Sequence, residues 1–149
     1  MMKLETEVLA DLIAAKRTCL VQLRDIGRRQ LEVIDGGDMT SLLDLLSVKQ
    51  RMLLQLQRIE HTLEPFRSQD PEQRQWLSPQ HRQACRVEIQ QCEGLLAEIM
   101  TQEKCSESAL RLRRDQAAVQ LQGAELAGRA RGAYVAESRQ TSSQLDIRS

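Results

Sequence analysis

From Lys3 to Ile34 apolar residues return every three or four positions: Leu4, Val8, Leu12, Ala15, Cys19, Leu23 and Ile26, with Ile34 closing the run. Leu9, Leu20 and Leu31 widen the line to one side. This is the i, i+3, i+4 spacing of a helix with one buried face, and it predicts a first helix over about residues 3–35. Gly36-Gly37 ends it, because glycine accepts the left-handed conformation at a helix C-terminus. Asp38 then reads as the N-cap of a second helix over about 39–64, with Thr40 as a competing cap. Met39, Leu42, Leu43, Leu46, Leu53, Leu56 and Leu63 follow one line of that helix, with Leu45, Val48, Met52 and Ile59 beside it. So wide an apolar face is expected to touch two neighbours. Pro65 is expected to stop the helix, since the residue before a proline resists the α region.

The stretch "PFRSQDPEQRQWLSP" is a loop that holds all three prolines, with Phe66 and Trp76 near its ends. These two rings are expected to cap the end of a helical bundle; a small-molecule site there is the alternative. Ser78-Pro79 is a helix start, a serine cap followed by proline at the first helical position. Cys85, Ile89, Cys92, Leu96 and Ile99 continue the pattern, then Leu110, Ala117, Leu121 and Ala124, which predicts a third helix over about 79–131. Glu103 and Ser106 interrupt the line, so a bend or a change of packing partner is expected near them.

At about 1.5 Å per residue the three helices span roughly 48, 39 and 80 Å. A two-glycine turn makes the first two antiparallel neighbours, and the third packs back along them for about half its length. Beyond about Leu110 it has no intramolecular cover unless it folds back. Gly123, Gly128 and Gly132 each weaken that stretch by on the order of 1 kcal/mol relative to alanine. It still carries Leu112, Val119 and Leu126 at seven-residue steps, expected as a seam beside Leu110, Ala117 and Leu121. An apolar line without a local partner points to a partner elsewhere. Residues 132–149 are polar and expected to be a mobile tail. The fold class is therefore all-α: an antiparallel hairpin with a longer third helix in an elongated three-helix bundle or coiled coil, one domain over residues 1–149.

Composition sharpens this picture. The 149 residues include one Trp, one Tyr and one Phe, too few aromatics for an ordinary β core. Lysine plus arginine equals aspartate plus glutamate, 21 of each, so no global field draws the chain to nucleic acid or an anionic membrane. From Arg111 onward seven arginines face four acids, expected as a solvated surface. No run approaches the roughly 18 apolar residues of a membrane span, and acids interrupt the first seventeen residues, unlike a secretory signal. A cytoplasmic protein without membrane insertion is expected.

Chemistry is sparse. No nucleophile elbow, phosphate loop, dinucleotide fingerprint or zinc-protease motif occurs, so no catalytic residue, cofactor or metal ligand is assigned and an enzyme is not expected. Cys19, Cys85, Cys92 and Cys105 contain no C-x-x-C pair and are expected to be small buried hydrophobes. Glu103 is the one acid marked for burial or pairing to an arginine.

Asp38, Leu42, Leu45, Lys49, Leu53 and Leu56 form the pattern D-x3-L-x2-L-x3-K-x3-L-x2-L. With "QLEVIDGGDMTSLLDLLSVKQ" before it, "IEHTLEPFR" after it and a longer third helix, the chain resembles the FlgN family of flagellar export chaperones. The resemblance implies a cytoplasmic type III export chaperone. Such a protein binds the C-terminal helical region of the hook–filament junction proteins and delivers them to the cytoplasmic domain of the export gate. It also implies client binding by the end of the third helix, here Leu110, Leu112, Val119, Leu121 and Leu126. Tyr134, the one tyrosine, matches a residue implied in docking to the gate. Lys49 needs no role beyond that of a solvent-facing lysine between two apolar seams. The competing reading is a self-associating coiled-coil scaffold in which Leu112, Val119 and Leu126 pair with a second copy.

Overall fold

The computed structural model describes residues 3–148, with side chains as far as residue 140. Three α-helices follow one another: α1 (Glu5–Gly36), α2 (Met39–Arg67) and α3 (Pro79–Arg148), with a 3₁₀ turn at Pro71–Gln73. The chain is all-α and forms a three-helix bundle, and it divides into two units, Met1–Ala109 and Leu110–Ser149. No helix among the described residues is long and apolar enough to cross a membrane.

The helix ends follow from local chemistry. Glu7 Oε2 accepts the Leu4 N–H at 3.2 Å and holds the entry to α1. At the other end Gly37 takes φ 74°, a left-handed conformation that costs glycine little. The Gly37 N–H donates to Ile34 O and the Asp38 N–H to Val33 O, satisfying carbonyls that helix termination leaves open. Asp38, not Thr40, caps α2: its carboxylate accepts the Ser41 N–H at 3.1 Å and the Ser41 hydroxyl at 2.6 Å. Those hydrogen bonds hold the Asp38 carboxyl below its ordinary range. Ser78 Oγ accepts the His81 N–H at 3.1 Å and starts α3 at Pro79.

Two helix ends differ from the expected ones. Proline 65 lies inside α2, which runs on to Arg67. Proline's fixed φ fits a helical turn, and the lost N–H would have bonded the carbonyl of His61, where both residues are exposed and water substitutes. At the far end α3 passes Gly123, Gly128, Arg131 and Gly132 and reaches Arg148, so the segment expected as a tail is helical. Ser149 lies outside the described residues.

The core of the first unit contains Leu9, Ile13, Cys19, Leu20 and Leu23 of α1, Leu63 of α2, and Cys85, Cys92 and Leu95 of α3. Leu20 and Ile34 are completely sealed. Phe66 and Trp76 pack against the edge of this core, as expected of rings that close a bundle. The buried line of α1 is turned from the expected one. Val8 and Ala15 are exposed, while Leu9 and Ile13 are buried; Cys19, Leu20, Leu23 and Ile34 lie deepest. A helix seated between two others buries a broad sector, and its centre falls between two lines that periodicity alone separates.

Candidate interaction surfaces

Three places in the molecule combine polar chemistry or bare apolar surface in ways the core does not require. The first is a polar layer inside the first unit. Lys49 of α2 is only 12% exposed along its side chain, and its ammonium donates to Gln30 Oε1 of α1 at 3.2 Å and pairs with Glu103 of α3. One cation thus joins all three helices. Beside it the Gln102 amide donates to the Arg24 carbonyl at 3.0 Å. Gln102 reaches there because position 27 is glycine: a Cβ at Gly27 would lie 2.2 Å from Gln102 Oε1. Ser106 is buried alongside. Burial disfavours the charged form of Lys49 and lowers its pKa from the ordinary 10.5.

The expectation that Lys49 faces solvent is therefore incorrect. Lysine at helical spacing in a polar sequence reads as a surface residue, and only the approach of Glu103 from α3 makes burial tolerable. The interruption at Glu103 and Ser106 was the visible trace of this layer; Gly27 and Gln30 gave no comparable signal.

Of the other motif residues, all but Leu53 serve the fold. Asp38 is a helix cap, Leu42 is buried, and Leu45 and Leu56 are half-buried. Leu53 is exposed. It belongs to the second place, a bare row on α2 made by Met39, Leu43, Leu46, Leu53 and Leu54, exposed by 37% to 65%. The expectation that α2 touches two neighbours holds at Lys49, which meets both α1 and α3. That contact uses the inner face and leaves the row uncovered.

The third place is the distal stretch of α3. Leu112, Val119, Leu121 and Leu126 are exposed by 58% to 67%, and Leu110 is half-buried. Tyr134 is exposed. At 100° per residue these positions do not form the single seam expected. Leu112, Val119 and Leu126 follow one line, while Leu110, Ala117 and Leu121 follow another on the opposite side, because two residues carry the helix through about 200°. A shallow apolar hollow opens between Asp115, Gln116, Val119 and Gln120.

Elsewhere the structure offers less. A cavity of about 540 Å³ at the bundle end is bordered by Thr6, Phe66, Gln69 and Arg74. Of the four cysteines, Cys19, Cys85 and Cys92 are buried, and burial pushes each thiol above its ordinary pKa. Cys105 is exposed, contrary to expectation: it falls off the buried line that Cys85 and Cys92 share. Among the described residues no group of three histidine, cysteine or acidic side chains is placed to hold a metal ion.

No protein-family model, curated protein or solved structure matches this chain. The likeness to FlgN-type chaperones therefore rests on the α2 motif and the order of helices.

Proposed function

We propose that the protein is a type III flagellar export chaperone of the FlgN type, which holds the C-terminal helical region of a hook–filament junction protein against the distal stretch of α3. The observation that carries this reading is the bareness of Leu112, Val119, Leu121 and Leu126. Each such side chain gains on the order of 1.5–3 kcal/mol when fully buried, and most of that gain is not taken within the chain. Helix-against-helix recognition uses anchors at these spacings.

Two opposed apolar lines refine the proposal. A helix with one line accepts one partner helix; a helix with two can lie between a pair. The client reading then assigns Leu112, Val119 and Leu126 to one client helix and Leu110 with Leu121 to another. Flanking residues Arg111, Arg113, Arg114, Gln116 and Gln120 supply a polar rim around both. Tyr134, exposed and free of the apolar lines' centres, is left for the cytoplasmic domain of the export gate.

Co-purification from a flagellated bacterial cytoplasm tests the reading. The full chain should retain a junction protein, and a chain ending at Arg111 should not. Equal retention by the shortened chain would place the client on the first unit and remove the proposed role of α3. A full chain that emerges as a dimer held by Leu112, Val119 and Leu126, with no client, would favour the scaffold reading.

A further inference from the structure

The loop that joins α2 to α3 is not used by the client reading. With the first turns of α3 it borders a second, smaller hollow of about 240 Å³. Trp76, Cys85 and Ile89 give the hollow apolar walls, and Arg74, Arg82 and Arg86 line it as well. No acid lines it. Arg82 reaches Glu72 at 3.5 Å, an exposed contact of little strength, and Arg74 and Arg86 have no ion pair among the described residues. Two N–H donors of the lining residues, Arg74 Nε and Trp76 Nε1, are buried and have no acceptor. Nδ1 of His81, whose ring centre lies 5.7 Å from that of Trp76, is a third buried atom without a partner. Buried polar groups in folded proteins are nearly always paired, so this cluster calls for an acceptor from outside the chain. Arg74 is held where it stands: its Nη2 donates to the Phe66 carbonyl at 2.7 Å, and Phe66 packs on the core. The larger cavity at the same end also touches Arg74, but Glu5 and Asp70 border it and would repel an anion.

We propose that the smaller hollow binds a small carboxylate with an apolar body, an aryl or short-chain acid. The body lies against Trp76 and Ile89. The carboxylate accepts from Arg74 Nε and Trp76 Nε1 once these side chains turn toward it, and Arg82 and Arg86 supply further positive charge. A bare inorganic anion leaves the apolar walls uncovered, and a neutral ring leaves three guanidinium charges unanswered, so the two features together select this class. A ligand of about nine non-hydrogen atoms, such as benzoate, binds there with a dissociation constant on the order of millimolar.

Trp76 is the one tryptophan of the chain, so its fluorescence reports on the hollow directly. The full chain titrated with benzoate at constant ionic strength should show a saturable change. Benzamide and inorganic phosphate should each bind at least about tenfold more weakly. Arg74→Met should lose at least about tenfold in affinity for benzoate. Arg86→Gln, an exposed change that should melt like the wild type, should lose about threefold. Should Arg74→Met melt early, Arg86→Gln carries the test. No saturation with benzoate overturns the proposal. So does an equal response to phosphate or to benzamide, or affinity unchanged in either folded variant. The hollow lies wholly within the first unit, while client retention is read on α3, so this result and the chaperone reading stand or fall independently.

Discussion

The first unit and the distal stretch of α3 use the same residue types to opposite ends. Leu20, Leu23 and Leu95 are sealed in a core that three helices share, whereas Leu112, Leu121 and Leu126 stand in solvent on one helix. Spacing alone does not separate the two sets, since both recur at helical intervals. What separates them is the number of helices within reach. The core leucines are stabilised by neighbours in the same chain; the distal ones can be stabilised only by something brought to them. On the reading proposed above, leucines that add little to their own fold but stand in helical register are placed for binding.

The sharpest way to break this comparison is to cut both sets and measure stability. Leu20→Ala removes a fully buried side chain and should cost about 2–5 kcal/mol in chemical denaturation, because the cavity relaxes only in part. Val119→Asp with Leu126→Asp should cost less than about 0.5 kcal/mol, as exposed changes do. Comparable losses would show that the distal residues are core after all.

The polar layer sharpens the contrast within the first unit. Glu103→Gln removes the negative charge opposite the Lys49 ammonium while keeping an acceptor oxygen, and should destabilise by about 1–2 kcal/mol, discounted because Glu103 is half-exposed. Lys49→Met replaces the cation with an apolar chain of similar length and should change stability by less than about 1 kcal/mol in either direction. If the two substitutions cost the same, the ion pair is a surface contact and the layer has no special standing.

Alkaline pH distinguishes the units by titration. Cys19, Cys85 and Cys92 have raised pKa values in the folded protein, while the unfolded chain ionises near the ordinary 9.0. Above about that pH the unfolded state therefore binds fewer protons than the native state, and stability falls as pH rises. Lys49 acts in the opposite sense. Its lowered folded pKa adds stability as pH climbs toward 10.5, but one lysine opposes three thiols. Urea titrations at pH 7 and 9.5 should show the decline, and Cys85→Ala with Cys92→Ala should flatten it. A stability that rises with pH in the wild type would contradict the burial of these thiols.

At Gly27 two effects oppose each other. Alanine there gains about 1 kcal/mol of helix propensity and loses about 1–3 kcal/mol to overpacking against Gln102. A net loss of up to about 2 kcal/mol is expected in thermal melting, and a net gain would show that Gln102 swings aside freely.

Much of the fold was legible because its punctuation is local. Gly37, Asp38, Ser78 and Pro79 act on backbone groups within four residues, so their roles read directly from sequence. The helical pattern also announced three helices and an uncovered distal stretch. The rest depends on neighbours that periodicity does not specify. The centre of the α1 face fell between two expected lines because two helices press on it. Lys49 looked solvated because its partners Gln30 and Glu103 lie 19 and 54 residues away in sequence. The two distal lines could have been told apart from sequence by angle alone, since Leu110 and Leu112 are separated by about 200°. Cys105 is a similar case, a residue off the buried line of its own helix.

Central to the account is that Leu112, Val119 and Leu126 hold a client and do not hold the fold. Isothermal titration of the full chain with the C-terminal helical segment of a hook–filament junction protein tests it most directly, with Val119→Asp/Leu126→Asp titrated beside it at matched melting temperature. Saturable binding by the wild type and none by the variant is the predicted result. Undiminished binding by the variant, or a variant that no longer melts like the wild type, would contradict it.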